Sequence, residues 1–268
     1  MMTSDLTNRK VSVIIPSFNR EKTIERCINS IINQTIAPYE IIVVDDGSTD
    51  GTIKILENLV CDYLKIIKQN HKGAQAARNL GIMNASGEYI AFLDSDDEWM
   101  PQMIETCLEY ICNGNTDSVL YGDGFVVEGN KKRALKLPGE KDMHSLLLRR
   151  PGPMFQSMMV RKERLIQIGL LDEKVIAYQE WDTAIRLSKI CKFVHIKKPL
   201  FIYYRQWGSG EGISKTWKNG VRGYHYIVQK HKRDILEKNG VLTLFRHYKT
   251  LGFWIFKAFR NWLQSLHG

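Results

Sequence analysis

Asp94-Ser95-Asp96-Asp97 follows directly on the apolar run Tyr89-Ile90-Ala91-Phe92-Leu93. A strand that ends in carboxylates puts hard oxygen ligands at its carboxyl edge, where open α/β sheets bind their ligands. Three acids within four residues repel one another unless positive charge sits among them. A divalent cation carrying a diphosphate supplies that charge and suits oxygen ligands. The same tetrapeptide also fits a turn in which Asp96 or Asp97 caps a helix beginning near Pro101.

A second acidic loop, Asp45-Asp46-Gly47-Ser48, follows the apolar run Ile41-Ile42-Val43-Val44. Ser48, Thr49 and Asp50 are good helix caps and Gly47 tolerates positive φ, so capping by Ser48 and Asp50 leaves Asp45 for another task. No GxGxxG follows either strand, which disfavours dinucleotide binding of the Rossmann type.

The elements that position these loops alternate. Val11-Ser12-Val13-Ile14-Ile15 reads as a strand buried on both faces, and Ile24, Cys27, Ile28, Ile31 and Ile32 recur at helical spacing. Ile41–Val44 with Ile53, Leu56 and Leu59 repeats the unit, and Leu64–Ile67 with a helix over 73–84 gives a third. This predicts an α/β fold with a mostly parallel central sheet flanked by helices. Further on, Ser118–Val127 reads as a strand, 129–133 as a turn and 138–153 as a mobile loop. A helix over 181–190 and a strand Phe193–Ile196 close the domain.

At 268 residues, 44% hydrophobic and 25% charged, the chain is an ordinary globular protein rather than a disordered one. Five cysteines without a CxxC pair predict reduced, structural thiols. No apolar run reaches the ~18 residues of a spanning helix, and the polar start lacks the apolar stretch of a secretory signal. A cytoplasmic protein is expected, peripheral at most on the inner face of the plasma membrane. The formal charge of +9 calls for an anionic partner, and the basic bias lies in the C-terminal half.

Four motifs together resemble the family 2 glycosyltransferases of the GT-A fold, which use nucleotide-diphosphate sugars. They are Val13-Ile14-Ile15-Pro16-Ser17-Phe18-Asn19, Ile42–Asp50, Gly73-Ala74-Gln75-Ala76-Ala77-Arg78-Asn79-Leu80-Gly81, and Gly87–Asp97. Order and spacing match over about residues 10–101, and more loosely through Gln179-Glu180-Trp181-Asp182 and Tyr204-Arg205. The resemblance implies a GT-A domain over 1–215, divided into a nucleotide-binding half (10–101) and an acceptor-binding half (102–215), and a basic helical extension over 216–268.

It also implies roles for individual residues. Pro16 and Phe18, with Asn19, would line the base pocket, and Asp45, beside Asp46, would accept from the N3–H of a uracil-type base. Asp94 would lie nearer the ribose and Asp96 on Mn²⁺ or Mg²⁺, with Ser95 between them and Asp97 as an alternative ligand. Lys72, Arg78 and Arg205 would lie near the diphosphate. Two carboxylates suffice because phosphate oxygens and water complete the octahedron, and the metal stabilises charge growing on the leaving diphosphate.

In the family an acid near position 180 deprotonates the acceptor hydroxyl. Glu180 takes that place here, a Glu where Asp is commoner, and Asp182 competes for it. One base with no second nucleophile implies single displacement with inversion. The expected function is hexosyl or N-acetylhexosaminyl transfer from a nucleotide-diphosphate donor, UDP-sugar favoured, to a saccharide or lipid-linked saccharide. The segment Arg205–Ser214 resembles the family's flap over the diphosphate, without the histidine that many relatives carry near Trp207. His195 reads as a strand-end histidine satisfied by its neighbours. The rivals are a non-catalytic carbohydrate-binding or regulatory subunit of the same fold and a basic nucleic-acid-binding protein. The second lacks any RRM, zinc or helix-turn-helix signature.

Over residues 244–266, Leu244, Tyr248, Leu251, Ile255, Phe259, Trp262 and Leu266 fall at helical spacing, with Arg246, Lys249, Lys257 and Arg260 opposite. This pattern suits either an anionic membrane surface or a helix packed on the domain with its basic face solvated. Phe253, Trp254 and Phe256 flank the stripe, and packing on that stripe would leave them partly exposed.

Overall fold

The computed structural model describes residue 6, residues 8–205 and residues 217–265. Among them nine strands form one sheet: β1 (Val11–Ser17), β2 (Glu40–Asp45), β3 (Leu64–Lys68), β4 (Tyr89–Phe92), β5 (Glu98–Trp99), β6 (Val119–Glu128), β7 (Lys131–Leu135), β8 (Met158–Arg161) and β9 (Phe193–Tyr204). The spatial order is β3-β2-β1-β4-β8-β6-β9-β5, with β7 on the side of β6.

Every residue of β1, β2 and β4 is buried, which explains their unbroken apolar runs. The acid that opens β2, Glu40, is satisfied inside: Ser12 Oγ and the Ser86 N–H each donate to it at 2.6 Å, and Lys65 pairs with it. Helix Ile24–Ile32 covers the sheet with Ile24, Cys27, Ile28 and Ile31. Helix Ala74–Asn84 lies so close to β1 that a Cβ on Gly81 would sit 2.5 Å from Ile14 Cγ2. Only glycine fits there.

The pairs β1–β2, β1–β4 and β2–β3 are parallel, as expected. Beyond β4 the sheet is mixed rather than mostly parallel: β8 runs antiparallel to β4 and β6, β9 runs parallel to β6, β5 runs antiparallel to β9 and β7 antiparallel to β6. The strand responsible is Met158-Met159-Val160-Arg161, too short to show a period in the sequence. Residues 138–153, expected as a mobile loop, instead contain a helix, Met143–Leu147, capped by Asp142, which accepts the Ser145 N–H at 2.9 Å. Leu146, Leu147 and Leu148 are fully buried, and it is this apolar triplet that anchors a segment rich in proline, glycine and charge.

Helices Trp217–Lys230 and Lys232–Ser265 follow, the second broken at Gly240, where φ is 77°. They pack on the second half of the sheet domain. Tyr226 and Lys230 reach Asp172, Asn239 donates to the Ser145 carbonyl at 2.8 Å, and His247 donates to that of Leu148 at 2.9 Å. The boundary placed at 215/216 falls among residues 206–216, outside the described residues. Cys27, Cys107 and Cys191 are buried and all five thiols are free. No described helix is long and apolar enough to cross a membrane.

Candidate active site

The carboxyl ends of β1, β2 and β4 meet where the strand order reverses at β1, the place where open α/β sheets form a crevice. The β1–β4 register ends at Ile14 and Phe92, and the Leu93 N–H still donates to the Ile14 carbonyl at 3.2 Å. The next donor on that edge of β1 would be residue 16, a proline without an N–H. The ladder stops there and the chain after Leu93 is released into the crevice.

Two loops are tied together on the β2 side. Asn19 adopts φ 52°, and its side chain accepts the Thr49 N–H at 2.8 Å while its own N–H donates to Ser48 Oγ at 2.9 Å. Asp45 accepts the Ser48 N–H at 3.0 Å and the Ser48 hydroxyl. Asp46 is an anchor: it accepts from Gln69 Nε2 and from the backbone N–H groups of Lys72 and Gly73, at 2.6, 2.8 and 2.8 Å. It thereby fixes the loop that starts helix Ala74–Asn84. The exposed ring of Phe18 packs against His71, 4.2 Å between centroids, and the two form an aromatic wall beside Asp45 and Asp46. The side chain of Lys72 is exposed at the end of the same loop.

The acidic loop carries three different environments. Asp94 is part-exposed, and Arg78 donates to its Oδ1 at 2.5 Å. The side chain of Asp96 is also part-exposed; Arg20 Nη2 stands 3.8 Å from it and Arg26 holds its carbonyl at 2.6 Å. Burial, and then the neighbouring Asp94 carboxylate, push the Asp96 carboxyl above its ordinary range. Asp97 is buried, and its two oxygens take Gln156 Nε2 at 2.8 Å and the Tyr204 N–H at 2.9 Å. Burial followed by Asp96 and Asp94 raises it strongly. Ser95 is buried, and Thr23 holds its carbonyl at 3.0 Å.

Arg78 is the link to the opposite wall. It lies under the Phe155 ring, 4.4 Å from its centroid, and its Nη1 donates to Gln75 at 3.1 Å and to Gln179 at 2.9 Å. Gln179 opens helix Gln179–Leu187, and the preceding Tyr178 adopts φ 58° to turn the chain into it. Glu180 is next. Burial, then the Asp94 carboxylate, raise its pKa, with Arg78 opposing, so Glu180 feels the acidic loop across the crevice.

Asp182 faces the other way. It is fully buried and accepts from Arg186 Nε at 2.9 Å, Lys230 Nζ at 2.9 Å and His231 Nε2 at 2.8 Å. Burial alone would raise it, but His231, Arg186 and Lys230 together hold it at about 2. Arg205 is exposed and pairs with Glu128 at 2.8 Å. Residues 206–214, expected to form the flap, lie outside the described residues. His195 is satisfied by Asp123 at 2.7 Å and stacks on Tyr121.

The sequence reading passed over Arg20, Arg26, His71 and Gln179. For the first two the sequence offered no local signal: they meet the acidic loop only because helix Ile24–Ile32 and the turn before it lie beside that loop.

Asp94 and Asp96 suit a hard divalent cation: both are carboxylates, both are part-exposed, and their mutual repulsion calls for one. Among the described residues no three metal-binding side chains converge. A cation here would complete its shell with phosphate oxygens and water.

The WfgD protein of Escherichia coli, a UDP-Glc:alpha-D-GlcNAc-diphosphoundecaprenol beta-1,3-glucosyltransferase, is 36% identical over 143 residues, 53% of this chain and 56% of WfgD. The chondroitin synthase of Pasteurella multocida is 29% identical over 81% of this chain and 22% of its own length. The chain thus spans about half of WfgD and a smaller share of the synthase. The crystal structure of S. aureus TarS 1-349 in complex with UDP-GlcNAc superposes with a TM-score of 0.66 at 22% identity, over 92% of this chain and 71% of TarS, which shows a shared fold. The family model described as "Glycosyl transferase family 2" matches residues 12–169, more than half of the chain, and spans β1, both acidic loops and β8. The chain belongs to glycosyl transferase family 2.

Proposed function

We propose that this chain transfers a sugar from a UDP-sugar to a hydroxyl of a saccharide or lipid-linked saccharide, in the synthesis of a cell-surface polysaccharide or glycan. The observation that carries this reading is Arg78, which holds Asp94 with one nitrogen and Gln179 with another. A donor site at the acidic loop and a base on the opposite helix thereby share one crevice. WfgD and chondroitin synthase, by their names, act on saccharide chains or their lipid-linked precursors, and TarS was solved with UDP-GlcNAc.

In this reading the uracil-type base lies against the wall that Phe18 and His71 form, and Asp45, each of whose oxygens accepts one donor from Ser48, has a further lone pair for the N3–H. Asp94 and Asp96 would hold Mn²⁺ or Mg²⁺, which when bound offsets the charge growing on the departing diphosphate. Asp97 is buried where Asp94 and Asp96 are part-exposed, and through Gln156 and the Tyr204 N–H it orients the loop instead. Four donors around the crevice, Ser17 Oγ, Arg20 Nε, Gln75 Nε2 and Arg78 Nε, are buried without a hydrogen-bond partner, which suits a ligand rich in acceptor oxygens. Glu180 takes the proton of the acceptor hydroxyl while that oxygen bonds to the anomeric carbon and the bond to the diphosphate breaks. Asp182, fully buried and sealed by Arg186, Lys230 and His231, has no path to an acceptor.

The test is UDP release from a panel of UDP-sugars in the presence of a saccharide or lipid-linked acceptor. Release that requires Mn²⁺ or Mg²⁺, stops with chelator and falls at least about tenfold in Asp96→Asn is expected. Donor binding by thermal shift without acceptor-dependent release, under every donor, would assign the chain to the non-catalytic rival. Product of retained anomeric configuration would overturn single displacement. A further expectation concerns the aromatic wall: Phe18→Ala should raise the donor KM about tenfold with kcat little changed, since stacking on a base is worth about 1–3 kcal/mol. An unchanged KM would place the base elsewhere.

A further inference from the structure

Beyond Gly240 the last helix turns different faces to different surroundings. Thr243, Leu244, His247 and Leu251 are buried on the domain, and Trp254 packs on Tyr178 and Tyr224, 6.2 and 5.0 Å between ring centroids. Trp254, expected beside the stripe and partly exposed, is therefore one of the docking residues. About a quarter to a third of a turn further round, Val241, Phe245, Tyr248, Ile255 and Phe256 are exposed, Phe245 at 65% and Phe256 at 64%. The next sector holds Arg246, Lys249 and Lys257, all exposed, with Leu242 and Phe253 among them.

The sequence left two readings of this helix open, and the structure assigns each to its own face. The packed face accounts for Leu244 and Leu251. The exposed apolar strip runs from Val241 to Phe256, about 22 Å at 1.5 Å per residue. Apolar side chains of this size standing together in water call for a partner. Charge selects it: from Lys238 to Ser265 the chain has five Lys or Arg and no Asp or Glu. The strip is a ridge on one convex helix rather than a groove, so it fits a deformable surface better than a complementary protein.

We propose that this helix lies in the plane of an anionic bilayer, with the strip Val241/Phe245/Ile255/Phe256 in the boundary between headgroups and acyl chains. Arg246, Lys249 and Lys257 rest on the lipid phosphates. The opposite face stays clamped to the domain through Trp254 and Tyr178, two residues before Glu180. Docking therefore brings the mouth of the crevice to the lipid surface. That consequence bears on lipid-linked acceptors only if the proposed transfer holds; the binding itself does not depend on it.

The test is flotation of the full chain with vesicles of equimolar phosphatidylglycerol and phosphatidylcholine, against vesicles of phosphatidylcholine alone. Partitioning into the anionic vesicles that weakens with salt is expected. Phe245→Ser/Phe256→Ser should reduce it by about tenfold or more, and Lys249→Gln/Lys257→Gln by about fivefold per charge. The charge variant leaves the packed face untouched, so it keeps the test valid if the apolar variant folds poorly. Absence of wild-type binding, equal binding to both vesicles, or a dimer in solution that the Phe245→Ser/Phe256→Ser variant disperses without any lipid binding would each overturn the proposal.

Discussion

Glu180→Gln is expected to lower kcat by about 10²- to 10⁴-fold while leaving the donor KM nearly unchanged. Glutamine keeps the size of the side chain and can still touch an acceptor hydroxyl, but it cannot take a proton. The pH profile gives a second readout. Burial and Asp94 raise the Glu180 carboxyl above its ordinary range. Its conjugate base is the active form, so kcat/KM of the wild type falls as pH drops through that raised value and is full above it. In E180Q the residual activity loses this limb. The steady-state pH profiles of the two proteins with one UDP-sugar and one acceptor check it. A variant that keeps wild-type kcat, or keeps the limb, moves the base to another residue.

The raised value has a functional logic. A carboxylate with the usual acidity is a weak base near neutral pH, and efficiency improves as its pKa approaches the working pH. Glu180 reaches this state through burial and the facing Asp94 carboxylate, against the hydrogen bond from its own backbone N–H at the start of the helix. Arg78 works against it, and the same guanidinium holds the acidic loop and Gln179 in register. A cation bound at Asp94 and Asp96 would reduce the repulsion that Glu180 feels. In the proposed reaction, donor binding and base strength would be coupled through Asp94.

Much of the first half was legible because its signals are strong and local. Val11–Ile15, Ile41–Val44 and Tyr89–Leu93 are short apolar runs that only a strand buried on both faces explains, and each ends within a residue or two of the observed strand. Ile24, Cys27, Ile28 and Ile31 gave the first helix by period alone. The second half resists such reading. Phe193–Ile196 was visible, but β9 continues to Tyr204 across Lys197, Lys198 and Pro199, residues that argue against a strand until β6 and β5 are seen on either side. The turn expected over 129–133 overlaps the strand Lys131–Leu135, which is exposed and has no buried face to impose a period.

At the site, residue types were legible and their assignments to one another were not. Asp94, Asp96 and Asp97 are equivalent in sequence, yet one meets an arginine, one stands part-exposed and one is sealed by Gln156 and the Tyr204 N–H. Those partners come from 16 to 107 residues away. The choice between Glu180 and Asp182 shows the same limit. Two residues apart on a helix, they point to nearly opposite sides. Which side faces the crevice depends on the C-terminal helices, whose Lys230 and His231 lie 48 and 49 residues downstream of Asp182.

Those helices make Asp182 the site of the second large effect, on stability. Asp182→Asn should destabilise the protein by about 3–5 kcal/mol, because Arg186 and His231 would then lose the buried carboxylate they share and Lys230 would keep only Asp172. For a chain of this size that corresponds to a Tm lower by about 10 °C. The pH dependence has a definite sign. The folded pKa of about 2 lies below the ordinary 3.8, so the carboxylate contributes stability at neutral pH that is lost as pH falls from about 4 to 2. The shift corresponds to about 2 kcal/mol, less than the cost of the substitution, because the substitution also leaves the Arg186 guanidinium without its carboxylate. Urea unfolding at neutral pH and near pH 3 checks both: the wild type should lose stability across that window, and D182N should start lower and change less. Catalysis separates this role from that of Glu180. Loosening helix Gln179–Leu187 should lower kcat in D182N but leave the acid limb of the pH profile in place, since the group that titrates there is still present. Wild-type stability in D182N would show that the two C-terminal helices dock without the cluster, and loss of the acid limb would make Asp182 the base.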